Sequence, residues 1–281
     1  MYYFKYRVAI YYKPLIIFAQ YSLNMILDHK GINIFYTDQG AGTAIVLLHG
    51  FLENSTMWNA FLPELTKRNR VICIDLLGHG KTPCLGYVHT MEDMAEAVLA
   101  VLNHLKLRRY YMIGHSMGGY VALAFAEENH KNLKGLCLMN STYEADDDER
   151  KLLRARANKM IHTNFNNMVR MSFANLFSKK SKTVYKAEFD TALKEALKTP
   201  VQGYIACQEG MRRRPNRQEV FQSLEGKRTI LIGENDPVVD GEKLIKETKN
   251  TQINTVVLSE GHMSHIENPI QLLKEIVHFI E

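Results

Sequence analysis

Tyr110-Tyr111-Met112-Ile113-Gly114-His115-Ser116-Met117-Gly118-Gly119 is the stretch that decides the fold. The apolar run Tyr110–Ile113 predicts a strand, and Met117–Glu128 predicts a helix. G-x-S-x-G at such a junction predicts a very tight turn, in which Gly114 and Gly118 let the chain approach itself closely. The turn would raise the Ser116 hydroxyl above the carboxyl end of a sheet. The helix N-terminus behind it would offer amide N–H groups and positive partial charge to a developing oxyanion. An isolated G-x-S-x-G also occurs in plain glycine-rich turns, so its weight depends on its surroundings.

Those surroundings alternate strand and helix patterns. Before the motif come a short strand, Ile32–Thr37, a turn at Asp38-Gln39-Gly40, and a continuous apolar strand, Ala44–Leu48. Ser55–Arg68 reads as a helix capped by Ser55 or Thr56, with Trp58, Phe61, Leu62 and Leu65 on one face. Val71–Ile74 is a strand and Met91–Leu105 a helix. After the motif, Leu136–Met139 is a strand and the rhythm breaks at Thr142. Strand Arg228–Ile232, helix Gly241–Lys249, strand Ile253–Leu258 and helix Ile270–Ile280 then resume it. This repetition predicts an α/β fold with a mostly parallel twisted sheet and helices on both faces. Residues 143–225 show only helical pattern and polar linkers, too long for an ordinary connection. The expected organisation is an extension over 1–24, a core of 25–142 and 226–281, and a helical cap over 143–225.

Three further motifs stand at strand ends. His49-Gly50-Phe51 follows Ala44–Leu48, where a second oxyanion donor belongs, so the expected donors are the backbone amides of Phe51 and Met117. His49 itself reads as a loop-shaping residue. Gly233-Glu234-Asn235-Asp236-Pro237 follows Arg228–Ile232 and offers two carboxylates, Asp236 deeper in the turn than Glu234. Gly261-His262-Met263-Ser264-His265 follows Ile253–Leu258 and offers two imidazoles, His262 directly after the glycine and His265 as its rival. The chain order Ser116, Asp236, His262 suits a nucleophile, an orienting acid and a general base.

Composition narrows the class. The 281 residues are 46% hydrophobic and 23% charged, as in ordinary globular chains. No apolar run reaches the roughly 18 residues of a membrane span, so no stable membrane insertion is expected. Of the net charge of +5, three units come from Lys5, Arg7 and Lys13. The remainder, +2, leaves no nucleic-acid footprint. Residues 1–24, rich in Tyr and without acids, read as an upstream extension or as an interfacial anchor or extra edge strand. Four scattered cysteines without C-x-x-C read as reduced structural thiols and a cytoplasmic location. The eleven histidines show no metal-ligand spacing and no G-x-G-x-x-G follows a strand, so neither metal nor dinucleotide cofactor is expected.

Together HGF at 49–51, DLLGHGKT at 75–82, GHSMGG at 114–119, GENDPVV at 233–239 and GHMSHIENP at 261–269 resemble the α/β-hydrolase fold superfamily. The chain from Met25 to Glu281 is similar to capped, cofactor-independent serine hydrolases, among them carboxylesterases, enol-lactonases, thioesterases and the menaquinone-pathway synthase. The resemblance implies an α/β-hydrolase fold with an inserted helical cap and a triad of Ser116, Asp236 and His262, Asp236 standing at the family's usual acid position. It implies a small-molecule acyl ester, lactone or thioester as substrate. The alternatives are a C–C hydrolase or lyase on the same triad, or a non-catalytic ligand-binding module. A serine nucleophile argues against haloalkane or epoxide chemistry, which in this superfamily typically uses a carboxylate there. The synthase usually has arginine after the elbow glycines, where this chain has Tyr120. Asp75 and Gly78 are expected to shape their loop. Candidate pocket residues are Leu52, Tyr120, Met171, Phe173 and Arg212. The acidic run Glu144–Glu149 is expected at a helix N-terminus, and Arg212-Arg213-Arg214 on a solvated cap face or against a substrate anion. The sequence leaves the natural substrate and the oligomeric state open.

Overall fold

The computed structural model describes residues 23–281 apart from His162. Eight strands form one sheet: β1 (Leu23–His29), β2 (Ile32–Gly40), β3 (Thr43–Leu48), β4 (Asn69–Ile74), β5 (Tyr110–His115), β6 (Leu133–Met139), β7 (Lys227–Gly233) and β8 (Asn254–Leu258). Their order is β1-β2-β4-β3-β5-β6-β7-β8. β1 and β2 run antiparallel, and every pairing from β4 to β8 is parallel. The expectation for residues 1–22 lies outside the described residues. Leu23 and Asn24 pair with Asp38 and Thr37, so the sheet begins two residues inside the expected extension.

The parallel strands are apolar at successive positions because both sheet faces are covered. Ala44, Val46 and Leu48 of β3 face α2 (Met91–His104) and α3 (Met117–Asn129). Ile45 and Leu47 face Trp58, Phe61, Leu65 and the last helix of the chain. α2 starts on a reciprocal cap: Thr90 Oγ1 accepts the Asp93 amide, and Asp93 Oδ2 accepts the Thr90 amide.

One predicted helix is not continuous. Ser55–Arg68 divides into a 3-10 turn, Ser55–Trp58, and a single helical turn, α1 (Leu62–Leu65). Pro63 has no amide to donate and clashes with the preceding turn, so the helix restarts there. The cap is Asn54, whose side chain accepts the Thr56 amide, and neither Ser55 nor Thr56. Ser55 instead donates its amide to Asp75 Oδ1 at 2.7 Å, and Lys81 donates to Oδ2 at 2.8 Å. Asp75 thus holds its own loop against the start of this segment.

Between β6 and β7 lie α4 (Asp148–Met160), α5 (Phe165–Ala174), α6 (Lys179–Val184), α7 (Lys186–Ala196), α8 (Val201–Arg213) and α9 (Gln218–Ser223). After β7 come α10 (Gly241–Thr248), α11 (Ser264–Glu267) and α12 (Pro269–Ile280). Helices of the inserted segment share an apolar cluster with two core loops: Val169, Phe173, Phe177 and Tyr204 pack with Leu52 and Met263. α8 lies directly on the core loop after β4. A Cβ at Gly210 would sit 1.7 Å from the His89 carbonyl oxygen, and one at Gly203 would sit 2.2 Å from that of Gly78. Among the described residues, no helix is long and apolar enough to cross a membrane.

Candidate active site

Three loops at the carboxyl ends of the parallel strands meet above the sheet. The first is the turn from β5 into α3. Ser116 has φ 50° and ψ −115°, a left-handed conformation that costs a serine about 1–3 kcal/mol. Two contacts fix it: the Ser116 amide donates to the Met139 carbonyl at 2.9 Å, and Ser141 Oγ donates to the Ser116 carbonyl at 2.8 Å. The glycines permit the turn by close approach. A Cβ at Gly114 would lie 2.3 Å from the Gly118 oxygen, and one at Gly118 would lie 2.5 Å from the Leu48 oxygen.

The second loop follows β8 and carries His262. Its Nε2 lies 2.9 Å from Ser116 Oγ, and its Nδ1 lies 2.9 and 2.8 Å from the two Asp236 oxygens. The rival residues stand elsewhere. Glu234 is exposed, and His265 points its Nε2 at Glu53 Oε1, 3.6 Å away. Asp236 sits in the third loop, after β7. Burial would raise its carboxyl, but the His262 ring and the amides of Val238 and Val239 outweigh that and hold it below its ordinary value. Asn140, at the end of β6, donates to Asp236 Oδ2 at 3.1 Å and to the Gly261 carbonyl at 3.2 Å. The sequence reading passed over Asn140, whose partners lie far along the chain.

The loop after β3 closes the site from the other side. Gly50 donates its amide to Glu53 Oε2 at 2.7 Å, and Leu52, at φ 64°, donates its amide to His79 Nε2 at 3.1 Å. The Phe51 amide between them has no acceptor among the described residues, nor has that of Met117 at the first turn of α3. His49 shapes the loop as expected: its Nε2 accepts the Leu76 amide at 2.9 Å and its Nδ1 donates to the Gly50 carbonyl at 2.7 Å.

Pocket candidates separate clearly. Leu52 and Phe173 line a cavity of about 660 Å³ whose walls also carry Glu53, Glu188, Glu195 and His265. The other three candidates stand outside the walls of that cavity. Met171 is 54% exposed on α5, because the apolar face of that helix is taken by Met168, Val169 and Phe173. Arg212 is held by both Glu209 oxygens, at 2.8 and 2.6 Å, and is not free to take a substrate anion. Tyr120 is buried, with the Arg214 guanidinium 3.9 Å above its ring. Arg214 is itself buried and paired with Asp146 at 2.7 Å, so the triple arginine is not one solvated face. Of the acidic run, Asp147 caps α4 and Asp148 and Glu149 fill its first turn, while Asp146 is buried between Arg154 and Arg214.

Buried neutral histidines give the site an acid sensitivity. Burial lowers His79 to about 3 and both His89 and His265 to about 4. Unfolded imidazoles bind protons near 6.5, so below that pH the unfolded state gains protons that the folded state refuses. Stability falls as pH drops from 6.5 toward 4, by up to roughly 1.4 kcal/mol per pH unit for each histidine. Denaturant midpoints measured from pH 7 to 5 should decline steadily, and the decline should be shallower in His79→Gln. A flat profile contradicts the buried neutral rings.

The alpha/beta hydrolase fold family model matches residues 43–269, and the chain belongs to that family. The fold is similar to that of a thermophilic esterase from Thermogutta terrifontis, with a TM-score of 0.84 and 28% identity over 92% of this chain and 96% of that one. It is similar also to the enol-lactonase from Burkholderia xenovorans LB400, with a TM-score of 0.83 and 19% identity over 91% and 99% of the two chains. A putative 2-succinyl-6-hydroxy-2,4-cyclohexadiene-1-carboxylate synthase of Bacillus subtilis is 34% identical over 116 residues, 40% of this chain and 42% of that protein. The chain spans less than half the length of the curated relatives it matches. The chain is a member of this fold family with esterases among its structural neighbours.

Proposed function

We propose that the protein cleaves a carboxylic ester, lactones and thioesters included, through an acyl-enzyme on Ser116. The observation that carries this reading is the hydrogen-bonded chain Ser116–His262–Asp236, with 2.9 Å at its first link and 2.8 Å at its second. Ser116 Oγ attacks the carbonyl carbon while His262 Nε2 takes its proton, and Asp236 orients the ring and stabilises the imidazolium. The free amides of Phe51 and Met117 receive the oxyanion, and each such donor is worth roughly 3 kcal/mol where one has been removed. His262 returns the proton to the leaving oxygen, and water then releases the acid. Residues 143–225 act as the cap that excludes bulk water and shapes the acyl pocket.

A fluorophosphonate probe tests the nucleophile directly. One equivalent should add to the peptide carrying Ser116, alongside turnover of p-nitrophenyl esters whose acyl-length profile sizes the pocket. Correctly folded protein that neither labels nor turns over these esters overturns the reading. The stretch shared with the Bacillus synthase favours a second reading, a C–C hydrolase or lyase on the same three residues. That reading gains if Ser116 labels but esters are not cleaved.

A further inference from the structure

His115, directly before Ser116, is buried beneath the site, and both of its ring nitrogens face acceptors. Nδ1 lies 2.7 Å from Glu53 Oε2, and Nε2 lies 3.0 Å from the backbone carbonyl oxygen of His262. A neutral imidazole has one donor and one acceptor nitrogen, so a neutral ring would aim a lone pair at one of these oxygens. Glu53 Oε2 also accepts the Gly50 amide at 2.7 Å, so that oxygen is already an acceptor for two donors. We infer that His115 is held as an imidazolium, ion-paired with Glu53, and that this buried pair is a positioning device for the reaction proposed above.

The pair joins the three segments that must keep register. Glu53 fixes the amide of Gly50, the residue before Phe51, His115 is covalently next to Ser116, and its second N–H fixes the backbone of His262. A Cβ at Gly50 would lie 2.9 Å from His115 Nδ1 and 3.2 Å from Ser116 Cβ, which measures how closely the segments meet. Burial alone would raise Glu53 and lower His115. Their mutual attraction and hydrogen bond outweigh it on both sides, holding Glu53 at about 2 and raising His115 above its ordinary value. The other titratable groups facing the pair are His265, kept neutral by burial, His262 with its ring centroid 5.2 Å away, Asp236 behind it, and His49. Buried ion pairs add little net stability, but removing one partner leaves a costly orphan charge, so they suit the fixing of register.

A neutral isostere cannot reproduce the pattern. In Glu53→Gln, an amide oxygen at the Oε2 position keeps the Gly50 and Nδ1 bonds, but the now neutral ring turns a lone pair toward His262. An amide nitrogen there faces the Gly50 N–H instead.

This inference rests on the serine-hydrolase reading for its kinetic arm only. In wild-type protein at pH 7.5, nitrogen-15 NMR should show one histidine with protons on both ring nitrogens, a signal missing in His115→Gln. A single-proton tautomer for His115 overturns the inference whatever the activity. With p-nitrophenyl acetate, Glu53→Gln should lower kcat about 10–100-fold with KM changed less than about threefold, as expected when reacting groups lose alignment. Unchanged kcat in a folded Glu53→Gln protein also overturns it. Absence of Ser116-dependent turnover in the wild type counts instead against the proposed function, and the NMR result still decides the protonation of His115.

Discussion

Ser116→Ala is expected to lose ester turnover by a factor on the order of 10^5 while keeping its fold. The loss is large because, in the proposed mechanism, Oγ is the attacking atom, and among the described residues it is the only partner of His262 Nε2, at 2.9 Å. The fold should persist because the fixed contacts of this residue are made by its backbone, through Met139 and Ser141, and alanine retains them. Alanine also has a Cβ, so the strain at φ 50° is unchanged. Ser116→Gly should be equally inactive yet more stable, by about 1 kcal/mol, since glycine adopts that conformation freely. Initial rates and denaturant midpoints measured side by side check both halves. Substantial turnover in either variant removes Ser116 from the chemistry.

The second large effect is expected in Asp236→Asn, with kcat reduced about 10^4-fold and little change in KM. The reason is tautomeric. Asp236 Oδ1 accepts the amides of Val238 and Val239 at 2.8 and 3.0 Å, so the asparagine oxygen must occupy that position. Its NH₂ group then stands at the Oδ2 position, 2.8 Å from His262 Nδ1 and 3.1 Å from the Asn140 amide nitrogen. The neutral ring answers a donor at Nδ1 by moving its proton to Nε2. That nitrogen faces Ser116 and can no longer act as a base. Asn140→Ala relieves the clash between the two amides without restoring the tautomer, so the double variant should remain as slow as Asp236→Asn alone. Recovery of the double variant would show that crowding, and not the tautomer, limits the rate.

Much of this site was legible because its signals are local. A strand followed by G-x-S-x-G constrains the backbone through close contact of Gly114 with Gly118, five residues at most. The ends of β7 and β8 are set by apolar runs that stop at Gly233 and Leu258, and Asp236 and His262 follow within four residues. The division of the helix after β3 is not legible in the periodicity, because the apolar spacing of Trp58, Phe61 and Leu65 is the same whether the backbone is one helix or two turns.

Other features depend on distance along the chain. Glu53 and His115 are 62 residues apart, and Asn140 and Asp236 are 96 apart, with no pattern linking either pair. Met171 is a plausible pocket residue by type, but which face of α5 turns inward is settled only when the helices pack. The sequence by itself determined the parallel sheet, the elbow and the order of the three reactive side chains, since periodicity, glycine sterics and strand ends act over a few residues. Only the tertiary structure decided which charges are buried in pairs beneath Ser116. Those choices depend on hydrogen bonds between loops that come together at one edge of the sheet.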